Sequence, residues 1–198
     1  MNVAAMTITT AKHFTIAEYH RLTEIGFFCE DDRVELIDGG IVEMAAKSVA
    51  HETCLRRLLR EVNRILGGRA TLQCQAPILL PNDSEPEPDF TLVCNRDDDY
   101  LSGHPTTGDI LLLIEIADSS LSYDKEVKLP VYANAGIAHY WIFNLGRDCL
   151  ECYSEPYQTM KGDFSYRKTV IFLPNETVNL PGFSDLSLDL SKVFPHQG

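Results

Sequence analysis

Hydrophobic and polar positions along the chain follow three patterns: helical periodicity, strict alternation and unbroken apolar runs. Between residues 51 and 66, Leu55, Leu58, Leu59, Val62, Ile65 and Leu66 fall on one face at helical spacing, and Gly67-Gly68 ends the run, which predicts a helix. Residues 14–28 predict a shorter helix, with Thr15 as N-cap and Glu18 completing a capping box. In RVELIDGGIVEM, two alternating runs flank Asp38-Gly39, the signal of a β-hairpin. TLQCQAPILL and DFTLV read as strands, and DILLLIEIA is almost wholly apolar, as expected of a strand covered on both faces. A second helix is predicted over 124–135, ended by Gly136. Pro130 disturbs it, so the regular part should begin near Val127 after one irregular turn. AHYWIFNL, DCLECYSE and FSYRKTVIFL follow as strands, and the tail LPGFSDLSLDLSKVF reads as a turn and a short apolar segment.

The order helix, strand, strand, strand, helix, strand between residues 51 and 145 predicts an α+β (mixed α/β) fold, with helices packed on a central sheet. With no repeat and no Pro/Gly/Ser-rich linker, the 198 residues read as a single domain, 1–198, with 1–13 a flexible lead. A composition of 44% hydrophobic and 23% charged residues excludes wholesale disorder. The longest apolar run, Ile110 to Ile114, is far too short to span a bilayer, and no secretory signal pattern opens the chain. The expectation is therefore a cytoplasmic protein without a membrane partner. The six cysteines then read as reduced thiols, mostly buried as small hydrophobes. Cys149 and Cys152 lack a second pair and lie three apart on a predicted strand, facing opposite sides, which argues against zinc.

A net charge of −12 argues against a protein that coats nucleic acid or anionic membrane, but not against a local basic groove. Arg56, Arg60 and Arg64 recur at i, i+4, i+8 with Arg57 beside them. They could contact phosphates, although a solvated helix face is the stronger reading. Residues 82–99 act in the opposite sense, carrying Asp83, Glu85, Glu87, Asp89, Asp97, Asp98 and Asp99 against Arg96 alone. That field repels DNA unless a metal or the geometry offsets it.

Glu115 stands in the middle of the apolar strand LLLIEIA, and Asp89 begins the strand after Pro88. A lone buried carboxylate is costly, so each must be paired, protonated or bound to a cation. One reading is a salt bridge to a nearby Lys or Arg. The other places Asp89 and Glu115 on adjacent strands around a shared hard cation, Mg²⁺ or Mn²⁺. Asp124, Lys128 and Tyr132, spaced i, i+4, i+8, would share one face of the helix after the Glu115 strand. Lys128 could then reach back over the strand end to orient a water or stabilise a pentavalent phosphate. Taken alone, an ordinary Asp124–Lys128 surface pair explains the same spacing, and Tyr132 reads as a packing residue.

VELIDGGIV, His51 at the opening of the long helix, EPEPDFTLV, LLLIEIADSS, DKEVKLPVYANAGIAHYWIF and LPGFSDL occur in an order and spacing that span about residues 14 to 194. In these pieces the chain resembles the Uma-type putative restriction endonuclease family, a branch of the PD-(D/E)XK nuclease superfamily. The resemblance implies a restriction-endonuclease-like core, a central mixed sheet flanked by helices, with an extra N-terminal hairpin and C-terminal strands. It also implies Mg²⁺- or Mn²⁺-dependent hydrolysis of DNA phosphodiester bonds. The family's PD dipeptide falls on Pro88-Asp89 and its (D/E) on Glu115. The superfamily lysine two residues further on is absent, because Ala117 stands there, and the spacing transfers its role to Lys128. The resemblance adds Glu35 as a further acidic group near the metal and, with less force, His51 as a site residue. On their own, Glu35 would read as a cross-strand ion-pair partner and His51 as a helix cap or a solvent contact. Cutting both strands of DNA would need two sites, which a symmetric homodimer supplies. The competing reading, from the acidic balance, is an interaction module with little or no catalysis on the same fold. A carboxylate-pair glycoside hydrolase ranks lower, since the single Trp offers little sugar platform.

Overall fold

The computed structural model describes residues 11–29 and 31–195. Helix α1 (Ile16–Glu24) carries the expected capping box, with the Glu18 N–H donating to the Thr15 hydroxyl and the Thr15 N–H donating back to the Glu18 carboxylate. Strands β1 (Val34–Ile37) and β2 (Gly40–Glu43) pair antiparallel as the predicted hairpin. Asp38 (φ 46°) and Gly39 (φ 72°) both lie in the left-handed region that a tight two-residue hairpin turn needs. Of the predicted lead, residues 1–10 lie outside the described residues. His13 Nδ1 bonds to the Asp38 carbonyl at 2.7 Å, and the Phe14 N–H donates to the Gly39 carbonyl at 2.8 Å.

Helix α2 (Val49–Leu66) starts two residues before the predicted span, because the Ser48 side chain accepts the His51 N–H and so caps it. Gly67, in the left-handed conformation, ends it. Six strands form the central sheet in the order β3 (Thr71–Cys74), β4 (Phe90–Val93), β5 (Ile110–Ala117), β6 (His139–Asn144), β7 (Cys149–Gln158) and β8 (Phe164–Phe172). Only β5 and β6 run parallel. A parallel pair needs a crossover, and the helical segment 121–134 provides it.

Apolar side chains fill both faces of this sheet. One cluster packs Leu58, Val62 and Leu66 of α2 onto Phe90, Leu112, Ile114, Ile116 and Phe143. The other packs Tyr132 and Ala133 of the crossover onto Leu113, Ala117, Tyr140 and Ile142. Strand β5 thus contributes alternate residues to each core, as its apolar composition requires. The chain adopts a mixed α+β fold, with a central six-stranded sheet flanked by helices.

Three segments differ from their sequence-based boundaries. The strand predicted over TLQCQAPILL stops at Cys74, where Gln75 turns to φ 50°. The crossover helix starts at α3 (Leu121–Tyr123), earlier than Val127, passes through a π turn (Asp124–Lys128) and continues as α4 (Leu129–Asn134). Pro130 accounts for this: it has no N–H for a carbonyl one turn back and would clash with it. The wider turn, closed by the Leu129 N–H on the Asp124 carbonyl, accommodates the proline without breaking the helix. The C-terminal segment forms a hairpin, β9 (Thr177–Leu180) with β10 (Phe183–Asp189), which lays Val178, Leu180 and Leu188 on the α2 core.

The hairpin turn gives a direct test. A Cβ on Gly39 would sit 2.9 Å from His13 Cβ at positive φ. Gly39→Ala should lower stability by about 1–2 kcal/mol, measured by urea unfolding.

Candidate active site

The antiparallel pairing Phe90↔Ile114 places Asp89 beside Glu115 one step further along β4 and β5. Both carboxylates therefore project from the same sheet face, at the end of β5 where the chain turns into the crossover helix. The Asp89 N–H donates to Glu115 Oε2 at 3.2 Å. Two ionised carboxylates opposite each other repel, and each is held by its own donors. Asp89 Oδ2 accepts His51 Nε2 and the Ile116 N–H, both at 2.9 Å, and Oδ1 accepts Gln75 Nε2 at 3.1 Å. Burial pushes the Asp89 carboxyl up, but the donors, His51 foremost, together hold it below its usual range.

Glu115 Oε1 accepts Lys128 Nζ and the Tyr132 hydroxyl, each at 3.0 Å. Lys128 also lies 3.2 Å from Glu35 Oε2, which accepts the Glu87 N–H at 3.2 Å. The side chains of Lys128, Glu115 and Glu35 are 5%, 6% and 2% exposed. Asp124 is also buried, and its Oδ2 accepts the Ser120 hydroxyl at 2.7 Å. Burial pushes the Glu115 carboxyl up to about 8 against the pull of Lys128, with Asp124 and Asp89 adding to the rise. Asp124 rises to about 6, again chiefly from burial. Burial alone would depress the Lys128 ammonium, but Glu115, Glu35 and Asp124 raise it, so it stays charged.

The five residues picked out in the sequence thus meet in one cleft of about 320 Å³, lined by Glu35, His51, Asp89, Glu115 and Lys128 among others. His51 is no cap: Ser48 performs that task, and the imidazole turns inward to Asp89. An ionised carboxylate can only accept, so Nε2 carries the proton in this bond. His51 Nδ1 is then buried with no partner among the described residues. Glu35 pairs with Lys128 from another element, not across its own hairpin. Asp124 and Lys128 form no surface pair, since both are buried.

Gln75 was not legible as a site residue. It reaches Asp89 from a left-handed backbone conformation after β3, with no periodic pattern to mark it. Another buried acid, Glu151 on β7, lies outside the cleft and carries no sequence signal either. It accepts Lys125 Nζ (2.6 Å), Asn144 Nδ2 (2.8 Å) and the Tyr153 hydroxyl (2.5 Å). The arginines of α2 do not form a free stripe. Arg56 pairs with Glu52, Arg60 and Arg64 pair with Glu61, and Arg57 donates to the Phe194 carbonyl at 2.6 Å. The acidic stretch is likewise dispersed: Glu85 bonds to His20, Asp98 pairs with Arg96, and Asp89 points into the cleft. All six cysteines are free thiols.

The sequence matches the family model of Uma2, described as "Putative restriction endonuclease", over residues 16–191. The chain belongs to the Uma2 family. A solved structure described as a putative nuclease belonging to DUF820, from Anabaena variabilis, superimposes with a TM-score of 0.66 at 15% identity, covering 91% of this chain and 97% of that one. At that identity the likeness is one of fold. No curated protein matches. Among the described residues of this Uma2 protein, no helix is long and apolar enough to cross a membrane.

Two stability measurements test the geometry. Lys128→Met leaves buried Glu35 without its ammonium and Glu115 without one of its donors, and should cost about 3–5 kcal/mol at neutral pH in denaturant unfolding. In chelator, wild-type stability should also fall as pH rises from about 5 to 8. The folded state keeps protons that the unfolded chain has already released, on Asp124 up to about 6 and on Glu115 up to about 8, and these two outweigh the opposite effect of His139, which burial lowers. A stability that rises with pH there would contradict the assignment.

Proposed function

We propose that this Uma2 protein is a Mg²⁺- or Mn²⁺-dependent endonuclease that hydrolyses DNA phosphodiester bonds, with Asp89, Glu115 and Lys128 at its centre. The observation that carries the reading is the pair of adjacent strand carboxylates sharing a cleft with one buried ammonium. Family membership and fold point to the same class of enzyme.

The residues present fit a hard cation. Glu35, Asp89, Glu115 and Asp124 are buried around a single buried lysine, and the raised Glu115 and Asp124 carboxyls show that their ionised forms lack compensation that a divalent ion would supply. All these donors are oxygens, as Mg²⁺ and Mn²⁺ prefer. Among the described residues, no three His, Cys, Asp or Glu side chains form a ready-made cage. Mg²⁺ does not require one, because it keeps several waters and takes one or two carboxylates plus substrate phosphates. Asp89 and Glu115 would hold the ion, with Glu35 adding to its field and the Ile116 carbonyl available on the same strand. Bound there, a divalent cation polarises the phosphate and lowers the pKa of a water.

The protein's own groups supply the remainder. Lys128, fixed by Glu115 and Glu35, presents a permanent positive charge to the negative charge that develops on phosphorus oxygens. His51 and the Ile116 N–H keep Asp89 ionised and oriented. Tyr132 restricts Glu115 to one rotamer by bonding the oxygen that also takes Lys128. A symmetric dimer would bring two such sites to the two strands of a duplex.

Supercoiled plasmid incubated with Mg²⁺ or Mn²⁺ tests the reaction. Wild type should nick it; EDTA, Asp89→Ala and Glu115→Ala should abolish nicking, and Lys128→Ala should slow it by on the order of 10²–10³-fold. Calorimetry should detect saturable Mn²⁺ binding that Asp89→Asn removes. A wild-type protein that neither nicks nor binds Mn²⁺ is the interaction module, and this reading fails.

A further inference from the structure

Most basic side chains in this acidic chain are paired with carboxylates. Arg56, Arg60 and Arg64 of α2 pair on their own helix, and Lys125 and Lys128 pair with the buried Glu151 and Glu115. Arg33 and Lys47 form none among the described residues, and both line the cleft that holds Asp89 and Glu115. The Arg33 guanidinium donates to Met44 Sδ at 3.9 Å.

Their placement follows from the hairpin. The Met44 N–H donates to the Arg33 carbonyl at 2.8 Å, which extends the β1–β2 pairing one step beyond the strands. Arg33 therefore stands two residues before Glu35 on the same hairpin face, and Glu35 is the residue that reaches Lys128. Arg33 is exposed, whereas Glu35 is buried, so the face runs from the cleft mouth to its floor. Lys47 sits where β2 leads into α2, immediately before the cap Ser48, and is half-buried. Lys47 has no carboxylate within ion-pair distance, and burial lowers its ammonium pKa against the more distant pull of Asp89 and Glu52, so its lost hydration is only partly offset within the protein. Glu87 and Asp118 also line the cleft, so its mouth is not a uniform positive field. Two discrete cations within such a lining suit point contacts to individual phosphates.

We infer that Arg33 and Lys47 bind the DNA backbone, gripping phosphates that flank the scissile one as the strand enters the cleft. This inference rests on the endonuclease reading and assigns part of its substrate contact. It also answers how a chain of net charge −12 can approach a polyanion. The basic α2 face is spent on internal pairs, and the hairpin's open end supplies the contact instead. Arg33 has the planar fork that matches a phosphate bidentately, and Lys47 acts as a point charge.

The test is equilibrium binding of a fluorescent duplex oligonucleotide, read by anisotropy across a salt series, with Ca²⁺ present to balance the carboxylates. Wild type should bind with affinity that falls as salt rises. Arg33→Gln/Lys47→Gln should bind more weakly, with the log–log salt slope shallower by about two. Arg33→Lys/Lys47→Arg, which keeps both charges, should restore most of the slope. Arg147→Gln/Lys161→Gln removes the same charge from residues outside the cleft and should leave the slope unchanged. If the Arg33/Lys47 glutamine pair retains wild-type affinity and slope, the backbone contact is overturned, while plasmid nicking still decides the endonuclease reading. An equal loss in the Arg147/Lys161 pair also overturns it, since net charge alone would explain the effect. Wild type that binds no duplex, and nicks no plasmid, overturns both readings together.

Discussion

The Lys128 ammonium, buried between Glu115 and Glu35, is the contact on which the rest of the site depends. It joins three parts of the chain that are far apart in sequence: the N-terminal hairpin, the central strand β5 and the crossover helix. Each would otherwise carry an unpaired charge into the interior, at a cost that neither hairpin nor strand could offset by its own packing. Because the ammonium is shared between two carboxylates, its position is defined from two sides, and with it the floor of the cleft.

The π turn makes that contact feasible. Pro130 forbids a regular helix through residue 126, and the wider turn places Asp124 and Lys128 inward together, ahead of the regular turn that carries Tyr132. Tyr132 and Lys128 then converge on one oxygen of Glu115. On the other side of the turn, Lys125 reaches Glu151 in β7 and fastens the same segment to the sheet. The segment that delivers the site's cation is therefore anchored at two buried acids, Glu115 and Glu151. A single substitution in the turn should consequently be felt in both stability and geometry.

Charge is distributed with the same economy. The exposed arginines of α2 answer to carboxylates on their own helix, and the acidic stretch after the hairpin is broken up among His20, Arg96 and the cleft. The cleft itself gathers several buried carboxylates, together with Arg33 and Lys47 in its lining, which form no ion pair among the described residues. A divalent ion below and a phosphate above would complete both sets.

Much of this was legible in the order of residues. The apolar run around Glu115 announced a buried strand, and a lone acid within it announced a partner or a ligand, because low-dielectric surroundings tolerate neither absence. Asp38-Gly39, Thr15 with Glu18, and Gly67 announced a turn, a cap and a stop, because those signals act over only a few residues. The spacing of Asp124, Lys128 and Tyr132 announced a shared face. Which acid each cation would choose was not written locally. Lys128 bonding Glu35 across 93 positions, His51 turning from a helix start to Asp89, Gln75 bending into the cleft, and the arginines of α2 pairing at home all depend on which surfaces the sheet brings within a few ångströms. Local sequence determines which elements form and which faces they bury. Only the folded sheet decides which charges meet, because ion pairing depends on distance in space and on the water excluded between the partners.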